Sequence, residues 1–322
     1  MIAQYKDDFF LMLKNSIGYL PWAKKYPHKL DRLLYGDAHC CRHKEAQHRQ
    51  LVRKLLEEKA CENDLIDIFF KALIRAEVRF ASRFVPQRSH EERLTGHLIS
   101  EIGSSIEIAK PYFYDSALKF YNEKKFIDFF YFDMSKGGKL EKQTGADLAI
   151  SVIIDLPDYP KMIKSFIFQA KKYSHSIQLD LSQFETLTSY TAKGSGYLFY
   201  DTSTFSLSSP FVLDTDDYTL KQHYEKAIKE QHDSFSLTEE DIFDGLPLSA
   251  FLCFPFITNN EVGIKHREFQ DLLSYFNNFT KYNKKNTLDE DEFNGYLGIV
   301  SIGRKLNYQP NITNEGYDLT FE

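Results

Sequence analysis

Asp147 opens an apolar run, TGADLAISVIID, and a second run, KSFIFQAKK, closes on Gln169, Ala170 and Lys171. In an extended strand, Gln169 and Lys171 share one face and Ala170 takes the other. Between the runs lies LPDYPK, with two prolines and an aspartate. That is turn chemistry, so the runs are expected to pair as an antiparallel hairpin. The start of the first strand then lies beside the end of the second. An acid, a carboxamide and a lysine meet at one end of a sheet, a set suited to metal-assisted hydrolysis of a phosphodiester. Mg²⁺ prefers oxygen ligands and takes only one or two protein carboxylates, keeping waters for the rest. Asp147 would supply charge. Gln169 would supply a neutral oxygen, with the Ala170 carbonyl beside it. Lys171 would orient or help activate the attacking water and balance charge in the transition state. Gly145 and Ala146 are expected to keep the approach to Asp147 free of bulk.

The surrounding pattern predicts the elements that must hold these groups. Residues 1–86 read as helices, with Asn63 as N-cap of an amphipathic stretch and Pro86 as its stop. SHEERLTGHLISEIGSSIEIAK opens a further helix, Ser89 and Glu92 forming a capping box. After Gly103–Ser105 the chain reads as aromatic and extended. FIDFFYFDM is a predicted strand, KGGKLEKQTG a loop, DLSQFETLTSYTAKGSG a helix ending at Gly194 or Gly196, and YLFYD a strand. The order from 89 to 201 is therefore helix, strand, strand, strand, helix, strand, an α/β core with a mixed sheet flanked by helices. Further on, DDYTLKQHYEKAIKEQ reads as a polar helix and LPLSAFLCFPFI as a strand or a buried helix. EFQDLLSYFNNFTKY reads as an amphipathic helix and GYLGIVSIGRKL as a late strand.

The order SHEERLTGHL, TGADLAI, FIFQAKK, DLSQFETLTSY, GYLFY resembles the PD-(D/E)XK nuclease superfamily, in its variant with Gln in place of the second acid. The resemblance covers residues 89–201. It implies a restriction-endonuclease-like core, Mg²⁺ or Mn²⁺ as cofactor, and cleavage of nucleic acid, with double-stranded DNA as the expected substrate. GAD…QAK is similar to effector nucleases of anti-phage defence and to restriction-type enzymes. The family also implies a glutamate on the first helix as a metal ligand. At about 100° per residue, the apolar face of Leu94, Leu98, Ile99, Ile102 and Ile106 centres nearest Glu91 and Thr95. Glu91 is therefore the first choice, with Glu92 and Glu101 as alternatives. Gln169 removes one charge and so raises dependence on Asp147 and the helix glutamate. Lys172 and Gln183 are candidates for substrate contact. A cut in both strands favours a homodimer, and an acidic chain bearing a nuclease site points to restraint by a regulatory partner protein. The alternative function is a nuclease-like module that binds nucleic acid or a partner without cleaving. The expected division is a helical region 1–86, a nuclease core 87–235 and a C-terminal α/β extension 236–322 packed on the core.

Each residue alone has a plainer reading. Asp147 could cap a loop, Lys171 and Lys172 a solvated strand end, and Gln169 an edge hydrogen bond. Joint order and spacing carry the sharper one. Composition narrows the rest. The chain has 322 residues with net charge −6, so any polyanion contact must come from a local patch. RHKEAQHRQLVRKLL is such a basic stretch. Asp37, His39, Cys40, Cys41, His43 and His48 lack the paired spacing of a zinc site, so helix packing is expected there. With no secretory leader pattern and no CxxC pair, the four cysteines are expected to be free thiols in the cytoplasm. No run is long enough to span a bilayer. No Walker A loop, GxSxG elbow or HExxH is present.

Overall fold

The computed structural model describes residues 61–85, 89–133, 144–191, 193–202, 209–242, 245–280, 295–306, 311–313 and 316–318. The histidine- and cysteine-bearing stretch, the basic stretch and Pro86 lie outside the described residues. Helix α1 (Asp64–Arg83) begins as expected at Asn63, whose side chain accepts from the backbone N–H of Leu65 and Ile66. Helix α2 (Glu91–Tyr121) departs from expectation at both ends. Its N-cap is His90, with no side-chain cap bond, so the Ser89–Glu92 capping box does not form. It also runs straight past Gly103 and Pro111. The apolar stripe explains this: Ile102, Ile106, Ala109, Phe113 and Ala117 continue it at helical spacing, all buried. Burying that stripe outweighs the one hydrogen bond that Pro111 cannot donate. The helix stops at Asn122, which adopts the left-handed conformation with φ 53°.

The remaining main elements are β1 (Phe126–Asp133), β2 (Leu148–Ile154), β3 (Met162–Tyr173), β4 (Ser176–Asp180), α3 (Leu181–Tyr190), β5 (Ser195–Asp201), β6 (Phe211–Asp214), α4 (Tyr218–Lys229), β7 (Ser234–Thr238), β8 (Leu246–Pro247), β9 (Ile264–Lys265), α5 (Phe269–Thr280) and β10 (Tyr296–Gly303). They build a mixed α/β structure. The principal sheet has the order β1-β10-β2-β3-β5-β6-β8, with β9 pairing with β3. β2 and β3 form the expected antiparallel hairpin, Leu148 opposite Phe168. β5 runs parallel to β3, and β10 parallel to β2. β4 and β7 form a separate two-stranded ribbon.

Two apolar clusters cover the two faces. One joins α1, α2 and the buried segment Leu248–Ile257 to the face carrying Ile150, Phe168 and Ala170. The other joins α3, α4 and α5 to the face carrying Ala149, Ile167 and Tyr197. LPLSAFLCFPFI is thus mostly a buried helical segment, part of it a π-helix from Leu252 to Phe256. The division at residue 235 does not hold. β10 lies between β1 and β2 as an interior strand, so among the described residues past 235 this strand is part of the core sheet and not an extension packed on it. An isolated YLGIVSIG pattern cannot show its partners, because strand neighbours are chosen by burial on both faces. Likewise α1 packs in the same core cluster as α2. Cys61 and Cys253 are buried and Cys253 is a free thiol, while Cys40 and Cys41 lie outside the described residues.

Asp214, at the end of β6, is a buried carboxyl whose Oδ1 accepts from the Asp216 backbone N–H. Burial, with Asp217 and Asp216 nearby, pushes it up to about 7 from the ordinary 3.8. The folded chain then holds a proton that the unfolded chain releases above about pH 4. Stability from this group is full below pH 4 and lost as pH rises to 7. Asp214→Asn keeps the acceptor and removes the charge. It is expected to raise the thermal midpoint by a few degrees at pH 8, roughly 2–4 kcal/mol, with the gain vanishing near pH 4.5. Thermal unfolding across that range checks it.

Candidate active site

The site lies where β3 outruns β2. Residues 162–168 of β3 pair with β2, but 169–173 pair only with β5. On the vacant side, alternate backbone N–H groups of β3 need acceptors. Two carboxylates provide them. Asp147, the residue before β2, accepts from the Ala170 N–H through Oδ2 at 2.8 Å. Glu91, in the first turn of α2, accepts from the Lys172 N–H through Oε1 at 3.0 Å. Ala170 and Lys172 are two residues apart, about 7 Å along a strand. Two acids from distant parts of the chain therefore continue the ladder side by side.

Gln169 and Lys171 occupy the face turned toward α3, sharing it with Ile167 and Tyr173. Gln169 is buried. Its Nε2 donates to Asp147 Oδ2 and, at 3.4 Å, to the Ala170 carbonyl. Its Oε1 accepts from Gln183 Nε2 at 3.1 Å. Gln183 stands in the first turn of α3, which Asp180 caps by accepting from the Gln183 N–H and the Ser182 hydroxyl. Those bonds, the hydroxyl's first, hold the Asp180 carboxyl below its usual range, with Lys171 nearby adding to the effect. Lys171 is half-buried. Lys172 points to the opposite face and donates through Nζ to the Ser89 carbonyl at 3.1 Å. Ser89 thus meets β3 through its carbonyl instead of capping α2.

The glutamates separate clearly. Glu91 reaches β3. Glu92 is exposed in the same turn. Glu101 is buried against α1, paired with Arg79 at 2.5 Å and Arg83 at 3.7 Å. It sits about 15 Å up the helix from Glu91. Apolar-face geometry places Glu91 nearest the centre of the buried stripe, in agreement with its reach to β3. The arginine pair could not be foreseen, since it depends on how α1 crosses α2.

Other groups fix the two acids. Thr95 donates through Oγ1 to the Glu91 carbonyl, and it is 3.0 Å from the Tyr200 hydroxyl. With the Thr95 proton so used, Tyr200 donates to Thr95. Burial pushes the Tyr200 phenol far above its usual range, so it stays neutral. The Asp147 backbone is pinned on both sides: its N–H donates to the Phe168 carbonyl and its carbonyl accepts from Tyr296 N–H, both at 2.8 Å. Gly295 has φ +112°, and a Cβ there would sit 2.6 Å from the Asp147 carbonyl oxygen. Only glycine lets β10 approach Asp147 this closely. Gly145 takes φ +70°, so its use is conformational. Ala146 is fully buried and packs in the core, contrary to the expected open approach. Tyr200, Gly295 and Tyr296 carried no local signal, because each acts through neighbours remote in sequence, whereas Thr95 shares with Glu91 the centre of the apolar face of α2.

The oxygens available at the site are those of Asp147, Glu91 and the Ala170 carbonyl, with the Gln169 amide presenting its nitrogen to Asp147. That set fits a hard divalent cation such as Mg²⁺ or Mn²⁺ better than zinc, which favours nitrogen and sulfur. Among the described residues, no three His, Cys, Asp or Glu side chains cluster as a metal-binding group. Charge at this site rests on two carboxylates, with Gln169 neutral beside them. The described residues define a mixed α/β protein with an acid pair, a carboxamide and a lysine at a broken edge of its sheet. No protein-family model, curated protein or solved structure matches the chain. No helix among the described residues is long and apolar enough to cross a membrane.

Proposed function

We propose that the chain is a divalent-metal-dependent nuclease with a restriction-endonuclease-like core, hydrolysing phosphodiester bonds in double-stranded DNA, and that its role is defence against foreign DNA. The observation that carries this reading is the paired capture of the Ala170 and Lys172 N–H groups by Asp147 and Glu91. It sets two acids beside the face that bears Gln169 and Lys171. Asp147 and Glu91 would hold Mg²⁺, with Gln169 Oε1 and the Ala170 carbonyl as neutral ligands. When bound, the ion polarises phosphoryl oxygens and eases loss of a proton from water. The ammonium of Lys171 orients the attacking water and offsets charge growing on the phosphorus oxygens. Water forms the new P–O bond as the old one to the leaving oxygen breaks, and a proton passes to that oxygen.

Supercoiled plasmid, linear duplex and RNA incubated with Mg²⁺, Mn²⁺ or EDTA test this. Duplex DNA should be cut with either metal and left whole in EDTA. Cutting that persists in EDTA would end the metal-dependent reading.

A second reading is a module that binds nucleic acid without cleaving. It is favoured by Gln169, whose amide N–H₂, not its oxygen, faces Asp147. It expects duplex binding that survives Asp147→Ala, with no cutting by the wild-type chain.

A further inference from the structure

Gln169 meets the site through the wrong end of its amide for a metal ligand. Nε2 faces Asp147, and Oε1 faces Gln183. A cation on the Asp147 carboxylate needs an oxygen there, and an N–H₂ group cannot serve. We infer that Gln183 is a positioning residue whose amide lets Gln169 reverse, so that the cation site exchanges between a closed form and a ligand-ready form. The inference rests on the metal-dependent reading of this site.

The argument is one of donors and acceptors. In the observed form, Gln183 donates and Gln169 accepts, while Gln169 donates to Asp147. A 180° turn of the Gln169 amide sends Oε1 toward Asp147 and Nε2 toward Gln183. Gln183 must then accept. A carboxamide can do either, because it carries both a donor and an acceptor on one planar group. The observed form pairs the buried Gln169 amide on both sides without metal. The turned form sets Oε1 against an acceptor-only carboxylate and is satisfied only when a cation lies between them, so the turn is coupled to metal binding. A lysine at position 183 could only donate and a glutamate could only accept. In the closed form the Gln169 N–H₂ partly stands in for a cation, offering positive hydrogen-bond density to Asp147. The α3 cap holds Gln183 in reach: Asp180 accepts from the Gln183 backbone N–H at 3.0 Å. Asp180 thereby couples the start of α3 to the end of β3.

The test is Mn²⁺ binding, read by electron paramagnetic resonance titration without substrate. Gln183→Glu makes position 183 acceptor-only, which removes the donor that holds Gln169 Oε1 and offers Nε2 a new acceptor, freeing Oε1 for a cation on Asp147. Mn²⁺ should bind about five- to tenfold tighter. In a Gln169→Glu background, which has no N–H₂ to offer, the same change sets two carboxylates facing each other and should weaken binding or leave it unchanged. An equal gain in both backgrounds would reduce the effect to added charge and overturn the inference. In the wild-type chain, the Gln169 side-chain amide protons should move upfield on Mg²⁺ addition, as a carboxylate acceptor is exchanged for a carboxamide. Resonances that stay in place at saturating metal overturn it too. If instead wild-type Mn²⁺ binding is the same in Asp147→Asn, the metal site itself is lost, and the proposed function falls with the inference.

Discussion

Asp147→Asn is expected to lower duplex cleavage by about a thousandfold or more, roughly 4 kcal/mol of transition-state stabilisation, while leaving the fold intact. Asparagine keeps a side-chain oxygen at the same place. It can still accept from the Ala170 N–H, so the ladder at the open edge of β3 survives. The charge does not survive, and only Glu91 then remains as an acid at the site. With Gln169 neutral, no third carboxylate can compensate. The loss should be larger than in a site with three acids. Single-turnover cleavage at saturating Mg²⁺, beside a thermal melt of the same preparation, measures both halves of the claim. Activity within tenfold of wild type would remove Asp147 from the chemistry.

Lys171→Met should cost about a hundred- to ten-thousandfold in kcat, with Mn²⁺ affinity nearly unchanged or slightly tighter. Methionine preserves the length and apolar stem of the side chain. It removes the ammonium, which in the proposed mechanism acts on water and on the charge developing at phosphorus, not on the ligands. Lys171→Arg then separates two roles. Arginine restores charge but holds its proton at any working pH. Recovery in Arg assigns Lys171 to electrostatic stabilisation, and continued loss assigns it to proton movement. A Met variant that cleaves normally would leave the nuclease mechanism without its water-orienting group.

The hairpin and its cargo were legible in the sequence. The apolar, β-branched and aromatic runs in ADLAISVIID and KSFIFQAK, with prolines between, predict the β2–β3 hairpin, and its register places Asp147 beside Gln169. The N-cap at Asn63 and the helices α3, α4 and α5 were legible for similar reasons, each resting on neighbours a few residues away. The length of α2 was misread because Gly103, Ser104 and Ser105 looked like a break. A buried stripe on the far side of them keeps the helix whole. The place of β10 was hidden for a different reason. Its sequence says strand, but nothing in it says between which strands.

Sequence by itself determined the chemical types at the site and the face each strand residue takes, since alternation and spacing are local and set by backbone geometry. Tertiary structure decided which glutamate joins Asp147. Glu91 and Glu101 both lie on α2, and only the crossing of α1 gives Glu101 its arginines and leaves Glu91 for the open edge of β3. It also decided that Gln183 grips Gln169, that Gly295 clears the way for β10, and that Thr95 and Tyr200 brace the first turn of α2. These contacts join residues from 14 to 148 positions apart, as for Gln169 with Gln183 and Asp147 with Gly295. Pairings over such distances are selected by how the whole core packs, and no short stretch of sequence carries that information.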